Sequence, residues 1–173
     1  SSLKTSFLLE GFYTSLQNPF TTVSTGTSLP NGSILEESRN GSGAYVTGIN
    51  LELSISPSSD FMFNTGATIQ RSVFKEDQLL FEADGSVETE QDVILDDFVR
   101  SPNVYGFMNT NWSVSEAFNV DLTGSYTGSM IAPHVISDSG FIDLVDTEAF
   151  FDMTTKLTYH FDPIENFHVE LSG

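Results

Sequence analysis

The sequence predicts an all-β chain: an antiparallel up-and-down meander of about seven strands, organised as a segment of a transmembrane β-barrel with short periplasmic turns, long extracellular loops and no significant helix. Three observations lead there. Apolar and polar residues alternate with a period of two over runs at roughly 43–56, 61–73, 103–114, 117–130, 150–161 and 167–172, with a weaker seventh at 5–14. The connectors alternate in length: 57–60, 115–116 and 162–166 are tight, whereas 17–42, 74–102 and 131–149 are long and polar. Tight turns at one end and long loops at the other form the pattern of a membrane-spanning barrel.

Each run follows the same rule. At 5–14 Phe7, Leu9 and Tyr13 share the strand with Leu8 and Phe12, so this run predicts a strand covered on both faces. From Ala44, one face carries Tyr45, Thr47, Ile49, Leu51, Leu53 and Ile55, and the other carries Val46, Gly48, Asn50, Glu52 and Ser54. The next run sets Phe61, Phe63, Ala67, Ile69 and Val73 against Met62, Asn64, Gly66, Thr68, Gln70 and Ser72, with Arg71 as the exception near a loop end. In 103–114, Val104, Met108, Trp112 and Val114 oppose Asn103, Asn109, Asn111 and Ser113, while Tyr105 and Phe107 interrupt the polar face. Phe118, Val120, Leu122, Tyr126 and Met130 alternate without error against Asn119, Asp121, Thr123, Ser125, Thr127 and Ser129. Phe151, Met153, Thr155, Leu157, Tyr159 and Phe161 oppose Asp152, Thr154, Lys156, Thr158, His160 and Asp162, and Phe167, Val169 and Leu171 oppose His168, Glu170 and Ser172.

Two details separate a barrel from a soluble β-sandwich, which would show the same period. The polar faces are mainly Asn, Thr, Ser, Gly and Asp, suited to a hydrated lumen, where a soluble sheet would mix in Lys and Arg. Bulky residues flank every tight turn: Ile55 and Phe61, Trp112 and Phe118, Phe161 and Phe167. That recurrence predicts an interfacial aromatic girdle; in a sandwich the same rings would cap the core.

Composition narrows the function. Six Lys and Arg against 24 Asp and Glu give a net charge of −18, which removes the electrostatic basis for binding nucleic acid. With no cysteine there is no disulfide framework, thiolate metal site or thiol nucleophile. No apolar stretch approaches the roughly 18 residues of a spanning helix, and the opening Ser1-Ser2-Leu3-Lys4 lacks the apolar core of a signal peptide, so any export signal is expected to lie outside this stretch. A mean hydropathy of −0.07 does not argue against a membrane, because alternate residues of a barrel strand face water.

Several stretches resemble the C-terminal part of the barrel of TonB-dependent outer-membrane receptors: FLLEGFYTSLQNPF (7–20), EESRNGSGAYVTGINLELSISP (36–57), FVRSPNVYGF (98–107), GSYTGSMIAPHV (124–135) and FDMTTKLTYHF (151–161). The resemblance implies a non-enzymatic importer of a nutrient such as a metal chelate, cobalamin or glycan, in the bacterial outer membrane. Its partners would be that small molecule, outer-membrane lipid, and an inner-membrane energy-transducing complex acting through a plug domain absent from this stretch. It also implies that 1–173 is one partial barrel domain, an excised fragment whose unpaired edges would close on each other, pair with another copy or aggregate. The rival expectation is a soluble secreted β-sandwich, an adhesin or carbohydrate-binding module with an acidic Ca²⁺-binding loop.

Candidate site residues follow. The connector from Lys75 to Arg100 contains Glu76, Asp77, Glu82, Asp84, Glu88, Glu90, Asp92, Asp96 and Asp97, hard donors of the kind Ca²⁺ takes, but without the spacing of an EF-hand loop, so solvated carboxylates are the alternative. The resemblance puts the long connectors on the extracellular side and makes Asp96, Asp97, Arg100 and His134 candidate ligand-binding residues, with His134 in a turn beside Pro133. His160 and His168 are symmetric about Ile164, so with Asp162 they are candidate metal ligands if the hairpin sets them opposite each other; a polar lumen wall is the alternative, and no metal or cofactor is expected. Gly124-Ser125-Tyr126-Thr127-Gly128 misplaces the serine of a nucleophile elbow, and no nucleophile, base and acid assemble, so no enzyme is expected. Asn31-Gly32 and Asn40-Gly41 mark turns.

Overall fold

The structure, a computed structural model, describes residues 3–83, 90–136, 141–164 and 167–172. Among them are twelve strands and no helix: β1 (Lys4–Leu16), β2 (Phe20–Ser28), β3 (Ile34–Asn40), β4 (Ala44–Ser58), β5 (Phe61–Phe81), β6 (Val93–Asp97), β7 (Val104–Ser115), β8 (Phe118–Thr127), β9 (Ile131–Val135), β10 (Ile142–Asp146), β11 (Phe150–Ile164) and β12 (Phe167–Ser172). The main sheet is an antiparallel meander in the order β1-β4-β5-β7-β8-β11-β12, and these are the seven alternating runs. The sheet is open: β1 and β12 are its edges and do not pair with each other.

Antiparallel pairing places directly opposed residues on the same face, so register decides what each face contains. Here each of the six registers brings apolar residues opposite one another. Leu9 lies opposite Leu51, Ile49 opposite Ile69, Phe61 opposite Trp112, Trp112 opposite Val120, and Val120 opposite Leu157. Tyr159 then lies opposite Leu171. The result is one continuous apolar face across seven strands, and between Thr5 and Leu171 Arg71 is the one charge on it.

No second layer covers this face among the described residues. Phe7 is 66% exposed, Tyr13 69% and Met153 60%, and Ile49, Ile69 and Leu157 are also exposed. Across the same backbone, Asn50, Ser54, Asn64 and Thr68 are half-buried, Gly66 is buried and Thr158 is 4% exposed. In β4 and β5 the polar face is thus the more enclosed one, the reverse of a soluble globule. Among the described residues the dry centre of a sandwich is not formed.

Aromatic rings bound the apolar face at both ends. Toward the tight turns Phe61 is paired with Trp112, and Phe118 with Tyr159. Toward the long connectors Tyr126 is paired with Phe151, and the rings of Tyr13 and Tyr45 stack with centroids 6.2 Å apart. From Phe151 to Tyr159 the strand covers roughly 27 Å at about 3.4 Å per residue, which a strand tilt of about 40–45° reduces to roughly 20 Å of height, close to the ~25 Å apolar band of membrane barrels.

The interruptions of the polar face have a steric cause. Phe107 lies against Gly66, where an added Cβ would come within 2.6 Å of its ring, and Phe12 covers Gly48 in the same way at 2.6 Å. The cross-strand ring fills the space that a side chain at the glycine would occupy. Around these rings runs a polar ladder: Asn50 Nδ2 donates to Glu10 at 3.2 Å and Thr68 Oγ1 donates to Asn50 at 2.9 Å, while Asn111 Nδ2 donates to Asp121 at 2.6 Å.

A Cβ at residue 48 would also sit 2.5 Å from the carbonyl oxygen of Ile69, whereas nothing lies within 4 Å at Gly11. Gly48→Ala is therefore expected to cost about 1–3 kcal/mol as overpacking, read as a lower thermal midpoint by far-UV circular dichroism. Gly11→Ala, the control, should show no loss.

Candidate functional site

The long connectors are folded. In the first, Pro30-Asn31-Gly32 turns β2 back onto β3: Gly32 takes a left-handed φ of 82°, its N–H donates to Leu29 O at 2.9 Å, and Asn31 Oδ1 accepts from Ser33 N at 3.0 Å. In the second, β5 continues to Phe81, eight residues beyond the predicted end at Val73, and β6 returns along it with Leu79 opposite Ile94 and Phe81 opposite Val93. In the third, β9 and β10 form a separate hairpin.

These connectors interlock. Ser24 of β2 pairs in parallel with Phe81 of β5, Glu82 N donates to Ser24 O at 2.9 Å, and Arg100 N donates to Ile131 O at 2.7 Å. The buried apolar side chains of the described residues sit at this end: Val23, Ala44, Val73 and Phe81, with Phe81 fully enclosed. Phe81 meets Phe141 edge-on at 5.3 Å, and Phe74 meets Phe98 at 4.4 Å. Buried Gln78 is satisfied by donating Nε2–H bonds to Ser42 Oγ at 3.1 Å and Glu76 O at 2.8 Å. Exposed Arg39 bridges Glu37 and Glu82 at 2.9 and 3.0 Å, and its hydrogen bonds to Glu37 first and Glu82 second raise its pKa.

Between the first hairpin, the exit of β6 and the third hairpin lies a cleft of about 550 Å³. Phe20, Phe74, Leu80, Phe98, Val135 and Ile142 give it mostly apolar walls, and Glu36, Asp97 and Arg100 bring charge to it.

The predicted site residues divide. Asp97 and Arg100 line the cleft; Asp96 and His134 do not. Asp96 is exposed on the other side of its strand, as alternation requires. His134 is not in a turn: it lies within β9 opposite Asp143, and its neighbours Pro133 and Val135 face the cleft instead. Asp84 and Glu88 lie outside the described residues. Asp92 caps the backbone, its Oδ1 accepting from Ala83 N at 3.0 Å.

The expected histidine pair is not opposed. β11 runs to Ile164, which lies opposite Phe167, so the hairpin turns beyond Ile164 rather than about it; past an irregularity between Phe161 and Ile164, His160 lies opposite Glu170 rather than His168. His160 Nε2 lies 3.1 Å from Asn119 Nδ2 on the polar face. The side chains of Asp162 and His168 lie outside the described residues, and among those described no three His, Asp or Glu are grouped to hold a metal.

Sequence reasoning missed the aromatic and aliphatic walls. Their only signal is isolated apolar residues, such as Phe20, Phe98 and Leu79-Leu80-Phe81, within otherwise polar connectors. Comparison with protein-family models, with curated proteins and with solved structures found no match.

Phe81→Ala should cost about 3–5 kcal/mol locally, as for a fully buried aromatic. Amide exchange is expected to accelerate in β2 and the outer part of β5, while β7 and β8 stay protected.

Proposed function

We propose that this chain is part of the wall and loop cap of an outer-membrane β-barrel receptor, a non-enzymatic protein that captures and imports a scarce nutrient. The observation that carries this reading is the apolar face: continuous in register over seven strands, exposed among the described side chains, marked by one charge in a chain of net charge −18, and edged by aromatic rings at both ends. Water exposure of so much contiguous apolar surface is costly, at roughly 25 cal/mol per Å². Hydrocarbon removes that cost without a second protein layer, and the rings match the belts found at membrane interfaces. Arg71, in the middle of β5 but close to the connector-side end of its ladder with β4, is where a long cationic side chain reaches headgroups.

The polar face then lines a hydrated lumen, and the interlocked connectors lie on the ligand side. The sequence stretches likened above to TonB-dependent receptors supply the more specific form of the proposal: energy-coupled uptake of a metal chelate, cobalamin or glycan through an inner-membrane complex and a plug domain.

The test is fractionation of the native protein. It is expected in the outer membrane with heat-modifiable gel mobility, and recovery in the soluble periplasm would refute the proposal. A substitution gives an energetic check: Leu51→Lys in the middle of the apolar face should destabilise a lipid-embedded sheet by roughly 2–4 kcal/mol. On a water-facing sheet the same change would be neutral or would improve solubility.

A further inference from the structure

We infer that the cleft at the connector end binds a small zwitterion with an apolar body, of which an unblocked hydrophobic dipeptide is the simplest example. This deepens the proposed function and rests on it only in taking the connector end as the ligand-facing end.

The size is right for a small molecule: about 550 Å³ lies within the ~300–1,000 Å³ typical of such sites. The walls are aromatic and aliphatic, so a ligand that fills the cleft must present an apolar body. What selects the ligand's polar part is the charge of the lining. Glu36 from β3, Asp97 from β6 and Arg100 just beyond β6 all reach the cleft. Among the described residues none of the three forms an ion pair; the salt bridges belong to Arg39. Charges of both signs are therefore available at one apolar site.

The electrostatic comparison decides between ligand classes. A simple anion would gain Arg100 but face Glu36 and Asp97 within a strongly acidic chain. A simple cation would gain the carboxylates and meet Arg100. An uncharged apolar molecule would leave all three without partners while shielding them from water, which is unfavourable. A zwitterion answers both signs, its carboxylate on the guanidinium, which binds carboxylates in a two-pronged geometry, and its ammonium on the carboxylates.

Backbone geometry supports the role of Arg100. Its φ of 56° is left-handed, a conformation uncommon for a non-glycine residue. It is held there by the hydrogen bond from its N–H to Ile131 O, which joins the end of the second connector to the third. Local strain retained by a tertiary contact is a feature of ligand sites.

The experiment is calorimetric titration of the detergent-solubilised protein with unblocked phenylalanyl-phenylalanine and with its N-acetyl and C-amide forms. Saturable binding of the free dipeptide is expected, with each blocked form about tenfold weaker, as for loss of one charge-assisted pair. Arg100→Gln should remove the penalty for amidation and leave that for acetylation; Asp97→Asn should lessen the penalty for acetylation. Absence of saturable binding, or equal affinity for free and blocked dipeptides, would overturn the inference, and the blocked ligands keep the test valid if a variant misfolds. Outer-membrane protein that does not bind the dipeptide would refute this inference alone, whereas soluble protein that binds it would refute the membrane reading and leave the site standing.

Discussion

Strand register is the constraint on which the rest of this structure depends. Side chains alternate faces with a period of two, so a slip of one residue at any of six interfaces would move a whole strand's apolar set to the other side. All six registers keep parity, and the backbone ladder converts seven short alternating runs into a single apolar surface. Irregularities occur beside all three tight turns, between Ile55 and Ser58, between Ser113 and Ser115 and between Phe161 and Ile164.

That surface inverts the usual arrangement of a folded chain. Exposed leucines, isoleucines and aromatic rings occupy one side, while asparagine, threonine and serine occupy the other and hydrogen-bond across strands. Phe12 and Phe107 belong to this second side because Gly48 and Gly66 leave room for them, not because a core requires them. Two of the aromatic residues that break the sequence pattern, Phe12 and Phe107, thus cover glycines of a neighbouring strand.

Apolar burial of the usual kind is concentrated at the connector end, around Phe81, Val23 and Val73. The same contacts that enclose Phe81 bring three stretches, far apart in sequence, around one cleft, and the hydrogen bond from Arg100 to Ile131 fixes its rim. Fold and candidate site are linked there: the sheet supplies the platform, and the connectors supply both the local core and the charged lining.

The sequence by itself determined the seven meander strands, the two faces and the turn at Asn31-Gly32, because each depends on neighbours within a few residues: alternation, glycine and tight loop length. It made Asp97 and Arg100 candidates through their acidic connector without revealing the cleft they share with Phe20 and Ile142. Only the tertiary structure decided that the polar connectors become β2, β3, β6, β9 and β10, that His134 lies in a strand, and that His160 faces Glu170. Those outcomes depend on partners supplied from distant parts of the chain, such as β2 along the end of β5, and on a hairpin that turns beyond Ile164 instead of about it. Local periodicity sets which way a side chain points, but the pairing of remote backbone groups sets what it points at.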